Sequence, residues 1–284
     1  MEMIATRNRL EQASILPGRC YHTCSSRPTI AVAIAARNAS HFLADTLESL
    51  AAQTQLPDQI VFYDDRSQDD TLAVANRYAS ALPMMTIHWG ISPVGISAAR
   101  NRANAQATAD YIAVLDADDG FEPDAIQAYC DSLLQHPDTD LLYADTRVAN
   151  ASLERSKHRR YPRFSSPREG IRGILGSPLV PFKHSSMVYR RSVFNELGGY
   201  DESLPIKVDV ELFLRFLAGG RVVTKLDQVT SIHRKHRKQI SARRLQGLKA
   251  YAMLIQRYES APLMRAVLHS TRIPSELLKM LLRG

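Results

Sequence analysis

Short uninterrupted apolar runs, each followed by a stretch of helical periodicity, constrain this chain most. TIAVAIAA (29–36) has no polar break over a strand's length, the pattern of a parallel strand with both faces covered. SHFLADTLESLAAQ (40–53) follows, with Phe42, Leu43, Leu47 and Leu50 at helical spacing, Ser40 as the expected N-cap and Pro57 beyond its end. QIVFYDD (59–65) reads as a second strand and DDTLAVANRYASAL (69–82) as a second helix, its first-turn acids favoured by the helix dipole. MMTIHW (84–89) reads as a strand and about 95–109 as a Gly-led, Ala-rich helix. YIAVLD (111–116), EPDAIQAYCDSLLQ (122–135) and DLLYAD (140–145) repeat the strand, helix, strand order. Such alternation means an α/β fold with a doubly wound, mostly parallel sheet flanked by helices.

Ligands of such sheets bind outside the carboxyl ends of the strands. Three strands here end in polar residues: Arg37-Asn38, Asp64-Asp65 and Asp116-Ala117-Asp118, with Asp119 next. All three clusters are expected along one edge. Carboxylates that close raise each other's pKa unless a cation sits among them. A hard divalent cation takes oxygen ligands and keeps sites for phosphates. A lone Asp-x-Asp is commonly a solvated turn; its place after a buried strand, beside a second acidic strand end, favours a metal.

The second half is less regular. Residues 151–176 are basic, contain Pro, Gly and Ser, and read as a flexible loop or lid. KHSSMVYRR (183–191) contains an apolar strand, a short helix follows over SVFNELGG, and KVDVELFLRFLAGG (207–220) reads as a helix stopped by Gly219-Gly220. RVVTKLD (221–227) and VTSIHRK (229–235) read as two strands, and about 239–282 as basic helix broken at Pro262 and Pro274. The division expected is an N-terminal arm over 1–28, a main domain over 29–238 and a basic helical extension over 239–284.

Of the net charge of +7, the segment from His233 onward carries +10, from 12 Lys/Arg and 2 Asp/Glu, so the rest is near −3. A basic tail on a mildly acidic body suggests an anionic partner. No run approaches the roughly 20 apolar residues that span a bilayer, and the N-terminal residues lack the apolar core of a secretory signal. The expected place is therefore the cytoplasm, with peripheral contact to a membrane face. Cys20, Cys24 and Cys130 make neither a disulfide framework nor a zinc site.

Five stretches, in order, give the chain its resemblance: VAIAARNASHFLADTLESLAAQT, VFYDDRSQDDT, VGISAARNRANAQATADYIAVLDADDGFEPDAI, MVYRRSVFNELGGYDESLPIKVDVELFLR and HRKHRKQIS. Together they resemble the inverting family 2 glycosyltransferases of GT-A fold over about 30 to 240. The resemblance implies transfer of a hexosyl or N-acetylhexosaminyl unit from a nucleotide-diphosphate-sugar, most often a UDP-sugar, with Mn²⁺ or Mg²⁺ as cofactor. It implies a glycan or lipid-linked acceptor, in assembly of bacterial surface polysaccharide or glycolipid, and no nucleic-acid partner.

Residue by residue, it places Asp65 on the nucleotide base, Ala35 and Arg37 at the nucleotide contact, Arg100 near the donor, Asp118 on the metal, and Asp116 near the ribose or a metal-bound water. His236 corresponds to a late His that reaches the metal or diphosphate in some members, with Ser241 beyond it. Asp209 corresponds to the general base, with Glu211 as its substitute. This chain departs from the pattern twice: Arg37 stands where an aromatic ring is usual, and Val208 where a Glu usually precedes the base. Asp65 and Asp209 also suit helix N-caps, Arg100 a surface charge, and Asp119 a helix start or supporting role. His184 lies in the acceptor-facing region. Nucleotidyltransferase and dinucleotide oxidoreductase readings lack a Gly at the first strand–helix turn, ARNASHF. The remaining alternative is a non-catalytic nucleotide-sugar or glycan-binding relative.

Overall fold

The computed structural model describes residues 27–153, 156–236 and 244–281, the last with side chains over 245–275. Nearly all of the arm expected over 1–28, with Cys20 and Cys24, lies outside the described residues, as does Ser241. Described strands are β1 (Ile30–Ala36), β2 (Gln59–Asp64), β3 (Met85–Trp89), β4 (Tyr111–Val114), β5 (Gly120–Phe121), β6 (Leu141–Ala149), β7 (Ser156–Arg159), β8 (Met187–Arg190) and β9 (Val223–Arg234). Helices are α1 (Ser40–Ala51), α2 (Thr71–Tyr78), α3 (Ile96–Ala105), α4 (Ala125–Gln135), α5 (Pro167–Gly176), α6 (Arg191–Glu196), α7 (Val208–Ala218), α8 (Arg244–Tyr258) and α9 (Pro262–Leu281).

They form one curled sheet, ordered β3-β2-β1-β4-β8-β6-β9-β5, with β7 paired to β6. β3, β2, β1 and β4 run parallel, so their carboxyl ends share an edge. β1 shows why its sequence has no polar break. Ala31 and Ala33 join a core cluster with α3 and α7, while Ile30, Val32 and Ile34 join one with α1 and α4. β8 enters antiparallel between β4 and β6.

Four expectations are corrected, three of them in the second half. The segment 151–176 is no simple loop: β7 makes a hairpin with β6, and α5 follows. Ser166 caps α5 by accepting from the Glu169 amide at 3.2 Å, with Pro167 at the helix start. The two strands expected over 221–235 are one, β9, parallel to β6 with register shifts at Ala144 to Thr146. Pro262 opens α9 as expected, but the helix continues through Pro274. Ser40 is the first helical residue and Ala39 the cap, the Ser40 hydroxyl going instead to Asp69 at 2.7 Å.

The C-terminal helices pack on this body. Tyr251, Leu254, Ile255 and Leu268 are buried in one cluster with Ile174, Leu175 and Leu217. Arg272 is buried with its guanidinium 3.4 Å from the Tyr251 ring centroid. Among the described residues no helix is long and apolar enough to cross a membrane.

Candidate active site

The parallel half builds the edge from three strand ends. After β1, Asn38 takes a left-handed conformation (φ 52°) and accepts from the Gln68 amide at 2.8 Å. Its own amide donates to Ser67, whose hydroxyl and amide both reach Asp64. The two turns after β1 and β2 are thereby locked together. Ala35 is half-buried in β1 and Arg37 is exposed just beyond it.

Asp65 is only 3% exposed. Its carboxylate accepts from the amides of Val94 and Gly95 at 2.8 and 3.1 Å, so it clamps the turn into α3 and does not cap α2. Gly95 stands at φ +89°, a conformation that suits glycine.

After β4 the acidic loop brings Asp116, Asp118 and Asp119 together, with one ligand atom from each inside 4.8 Å. Asp116 Oδ1 accepts from Arg100 Nη2 at 2.6 Å and from His184 Nδ1 at 2.9 Å. Burial acts to raise this carboxyl, but His184 and Arg100 overcome it and hold it well below the carboxylate range. Arg100 is therefore part of the edge, its guanidinium 5.6 Å from the Tyr200 ring centroid. His184 supports Asp116, and its Nε2 meets the Tyr200 hydroxyl at 2.8 Å.

Asp118 differs. Burial, then the charges of Asp119 and Asp116, push its carboxyl up to about 6 against the pull of His236. His236 Nε2 lies 2.7 Å from Asp118 Oδ2, and its ring rests on Phe42 at 4.6 Å between centroids. Crowded carboxylates beside a histidine, short of positive charge, are a donor set that fits a hard divalent cation. Asp118 and His236 could hold one.

Asp119 supports the loop. It accepts from Ser185 Oγ at 2.6 Å and from the Arg234 amide at 3.0 Å, and His233 Nδ1 is 3.1 Å away. Arg234 adds a bond from Nε to the Asp118 carbonyl at 3.1 Å and one from Nη2 to Asp45 at 2.6 Å, fixing β9 to both the loop and α1.

Asp209 lies in the first turn of α7. Lys207, at φ 64°, holds the cap position, so Asp209 is not the N-cap. Its negative field reaches Arg100, Lys183 and Tyr200, the last two being groups on or beside the acidic edge. Among the described residues, none makes a hydrogen bond or ion pair to the Asp209 carboxylate. Glu211 is different and is corrected as a substitute base. It is 1% exposed and takes Arg215 Nη2 at 2.5 Å, Tyr258 OH at 2.7 Å and Arg257 Nη1 at 3.3 Å, so it ties α7 to α8.

The structure thus brings Asp65, Arg100, Asp116, Asp118, His236 and Asp209 around one edge of the sheet. The residue-by-residue reading passed over Lys183, Ser185, Tyr200 and Arg234. The signal for Lys183 and Ser185 was their setting, since KHSS directly precedes the apolar strand β8.

The family model for glycosyl transferase family 2 matches residues 31–198. A glycosyltransferase of PGL/p-HBAD biosynthesis from Mycobacterium tuberculosis is 26% identical over 203 residues, covering 70% of this chain and 73% of the relative. The putative glycosyltransferase EpsE of Bacillus subtilis is 27% identical over 199 residues, with 69% of each chain covered. Among solved structures, S. aureus TarS 1-349 in complex with UDP-GlcNAc superposes with a TM-score of 0.66 at 16% identity, covering 88% of this chain and 73% of that one. The mannosyltransferase PcManGT from Pyrobaculum calidifontis, in complex with GDP-Man and Mn²⁺, gives 0.60 at 17% identity, covering 92% and 77%. These superpositions identify the GT-A fold.

Proposed function

The chain belongs to the family 2 glycosyltransferases, and from that premise we propose that it transfers a sugar, with inversion, from a nucleotide-diphosphate-sugar to an acceptor hydroxyl. The observation that carries this reading is the crowded acidic loop, with Asp118 short of positive charge, together with an Asp209 whose charge reaches Arg100 and whose carboxylate has no partner among the described residues. The donor nucleotide lies on the strand ends: Asp65 receives the base, Ala35 and Arg37 flank it, and Arg100 with Asp116 borders the ribose and diphosphate. Arg37 provides a planar guanidinium where an aromatic ring is usual, suited to stacking or to a phosphate.

Asp209 takes the proton of the acceptor hydroxyl. The acceptor oxygen then bonds to the anomeric carbon as that carbon's bond to the diphosphate breaks, and the electron pair leaves with the diphosphate. Asp209 stands in the first turn of α7, so the helix backbone fixes where its carboxylate begins. Mn²⁺ or Mg²⁺ on Asp118 and His236 would offset the charge growing on the leaving group. Arg100, held against Asp116, adds fixed positive charge nearby.

A UDP-sugar of the hexose or N-acetylhexosamine class is the proposed donor, in keeping with the UDP-GlcNAc and GDP-Man bound by fold relatives. The proposed acceptor is a glycan or lipid-linked saccharide of a bacterial surface polymer or glycolipid, in keeping with the names of the relatives. Lipid-linked acceptors suit a peripheral position on the cytoplasmic membrane face. The exposed side of α9 supports it, because Leu263, Ala266, Val267, Ser270 and Thr271 carry no charge within a basic tail.

General-base work is worth roughly 10²–10⁴ in rate. Asp209→Asn is expected to slow nucleoside diphosphate release from the donor by about that factor, with donor affinity within about twofold of wild type. Wild-type turnover in Asp209→Asn would sink the base assignment.

A further inference from the structure

Lys183 precedes the 3₁₀ turn His184–Ser186, on extended backbone at φ −127° and ψ 145°. Its Nζ lies 3.1 Å from His233 Nε2, while His233 Nδ1 lies 3.1 Å from Asp119 Oδ1. A carboxylate only accepts, so Nδ1 carries the ring proton and Nε2 accepts from the ammonium. That contact uses one of three N–H donors, and no described residue takes the other two. Burial pushes the ammonium below its ordinary pKa, while the charges of Asp119 and Asp209 act to raise it. Lys183 is therefore tied through His233 to the loop proposed to face the donor diphosphate, and it lies within the field of the carboxylate proposed to deprotonate the acceptor. The sugar in transit has to lie between that loop and that carboxylate.

We propose that Lys183 is a specificity-determining residue whose ammonium donates hydrogen bonds to oxygen atoms of the transferred sugar. The assignment rests on the donor and base positions proposed above. An ammonium donates only and carries a compact charge. It therefore selects hydroxyl oxygens or, more strongly, a uronosyl carboxylate, and gives nothing to a deoxygenated position. His233, braced by Asp119, sets where the ammonium points.

Equilibrium titration without acceptor separates this role from a structural one. The probes are UDP and GDP, each with Mn²⁺, and then UDP-glucose, UDP-N-acetylglucosamine, UDP-glucuronate and GDP-mannose. The assignment predicts that Lys183→Met keeps the nucleoside diphosphate affinity within about twofold and weakens the preferred nucleotide-sugar about tenfold to a hundredfold, the range for hydrogen bonds to charged groups. Lys183→Gln, which still donates, should recover part of that loss. A loss confined to the glucuronate donor identifies the carboxylate; a loss on a neutral sugar identifies a hydroxyl.

Equal weakening of diphosphate and nucleotide-sugar would overturn the assignment and make Lys183 a support of the acidic loop. So would no change in either. A wild-type chain that binds no nucleotide with Mn²⁺ would remove the donor site itself, and this assignment with it. The two failures are therefore distinguishable.

Discussion

The acidic loop after β4 and the first turn of α7 both present carboxylates to one space, but they are held in opposite ways. In the loop, each carboxylate has a fixed partner: Asp116 has Arg100 and His184, Asp118 has His236, and Asp119 has Ser185, His233 and the Arg234 amide. In α7, the Asp209 carboxylate has no hydrogen-bond or ion-pair partner among the described residues, while Glu211, half a helical turn on, is fully bound. Tethered groups suit a ligand that arrives in one pose, and an untethered carboxylate suits a proton transfer to be completed by an incoming hydroxyl. In the roles proposed above, the donor side is built in advance and the acceptor side is left open.

The largest further effect expected is on the donor side. Asp118→Asn should remove the metal-dependent part of nucleotide binding, lowering affinity in Mn²⁺ by about a hundredfold and leaving affinity in a chelator unchanged. A titration in which the Mn²⁺ advantage survives would mean that the loop is not the metal site, and the contrast would fail.

Acidity tests the same group less severely. The Asp118 carboxyl, pushed up to about 6, holds its proton more tightly in the fold than in the unfolded chain. Its ionisation therefore costs stability as pH rises from the ordinary carboxylate range to about 6, and a cation that needs the ionised form must displace that proton. Mn²⁺-dependent nucleotide affinity should fall about tenfold per pH unit below about 6 and level off above it. A profile flat from pH 5 to 8 would contradict this.

The smallest effect on chemistry is expected at Glu211. Glu211→Ala leaves Arg215 without its buried partner, so it should cost about 3 kcal/mol of stability in denaturant titration. Rate per folded molecule should change by no more than about twofold. A rate loss like that of Asp209→Asn would move the base to Glu211 and erase the distinction between the two residues.

The parallel half was legible because burial on both faces writes itself as unbroken apolar runs, as in TIAVAIAA. The edge followed from strand ends, and Asp65, Asp116 and Asp118 lie where that reasoning put them. β9 was read as two strands because Asp227-Gln228 interrupts its apolar pattern; the interruption is a register irregularity against β6. α5 was hidden by basic composition, although Ser166-Pro167-Arg168-Glu169 spelled its capping box. Pro274 was read as a break, yet α9 continues through it, on a helix packed against α5 and α8. Glu211 could not be separated from Asp209 in the sequence, because its partners Arg257 and Tyr258 lie more than forty residues away. Lys183 and Tyr200 were missed for the same reason, and His184, read as acceptor-facing, instead supports Asp116 because it leads into a strand inserted antiparallel beside β4.

The most direct test of a prebuilt donor side is thermal unfolding of the wild-type chain with UDP, GDP, CDP and dTDP, each with and without Mn²⁺. At about 100 times its dissociation constant a ligand adds roughly 2.7 kcal/mol. The account predicts that one nucleotide stabilises the protein by that order only when Mn²⁺ is present. Stabilisation that ignores the metal, or none from any nucleotide, would contradict it.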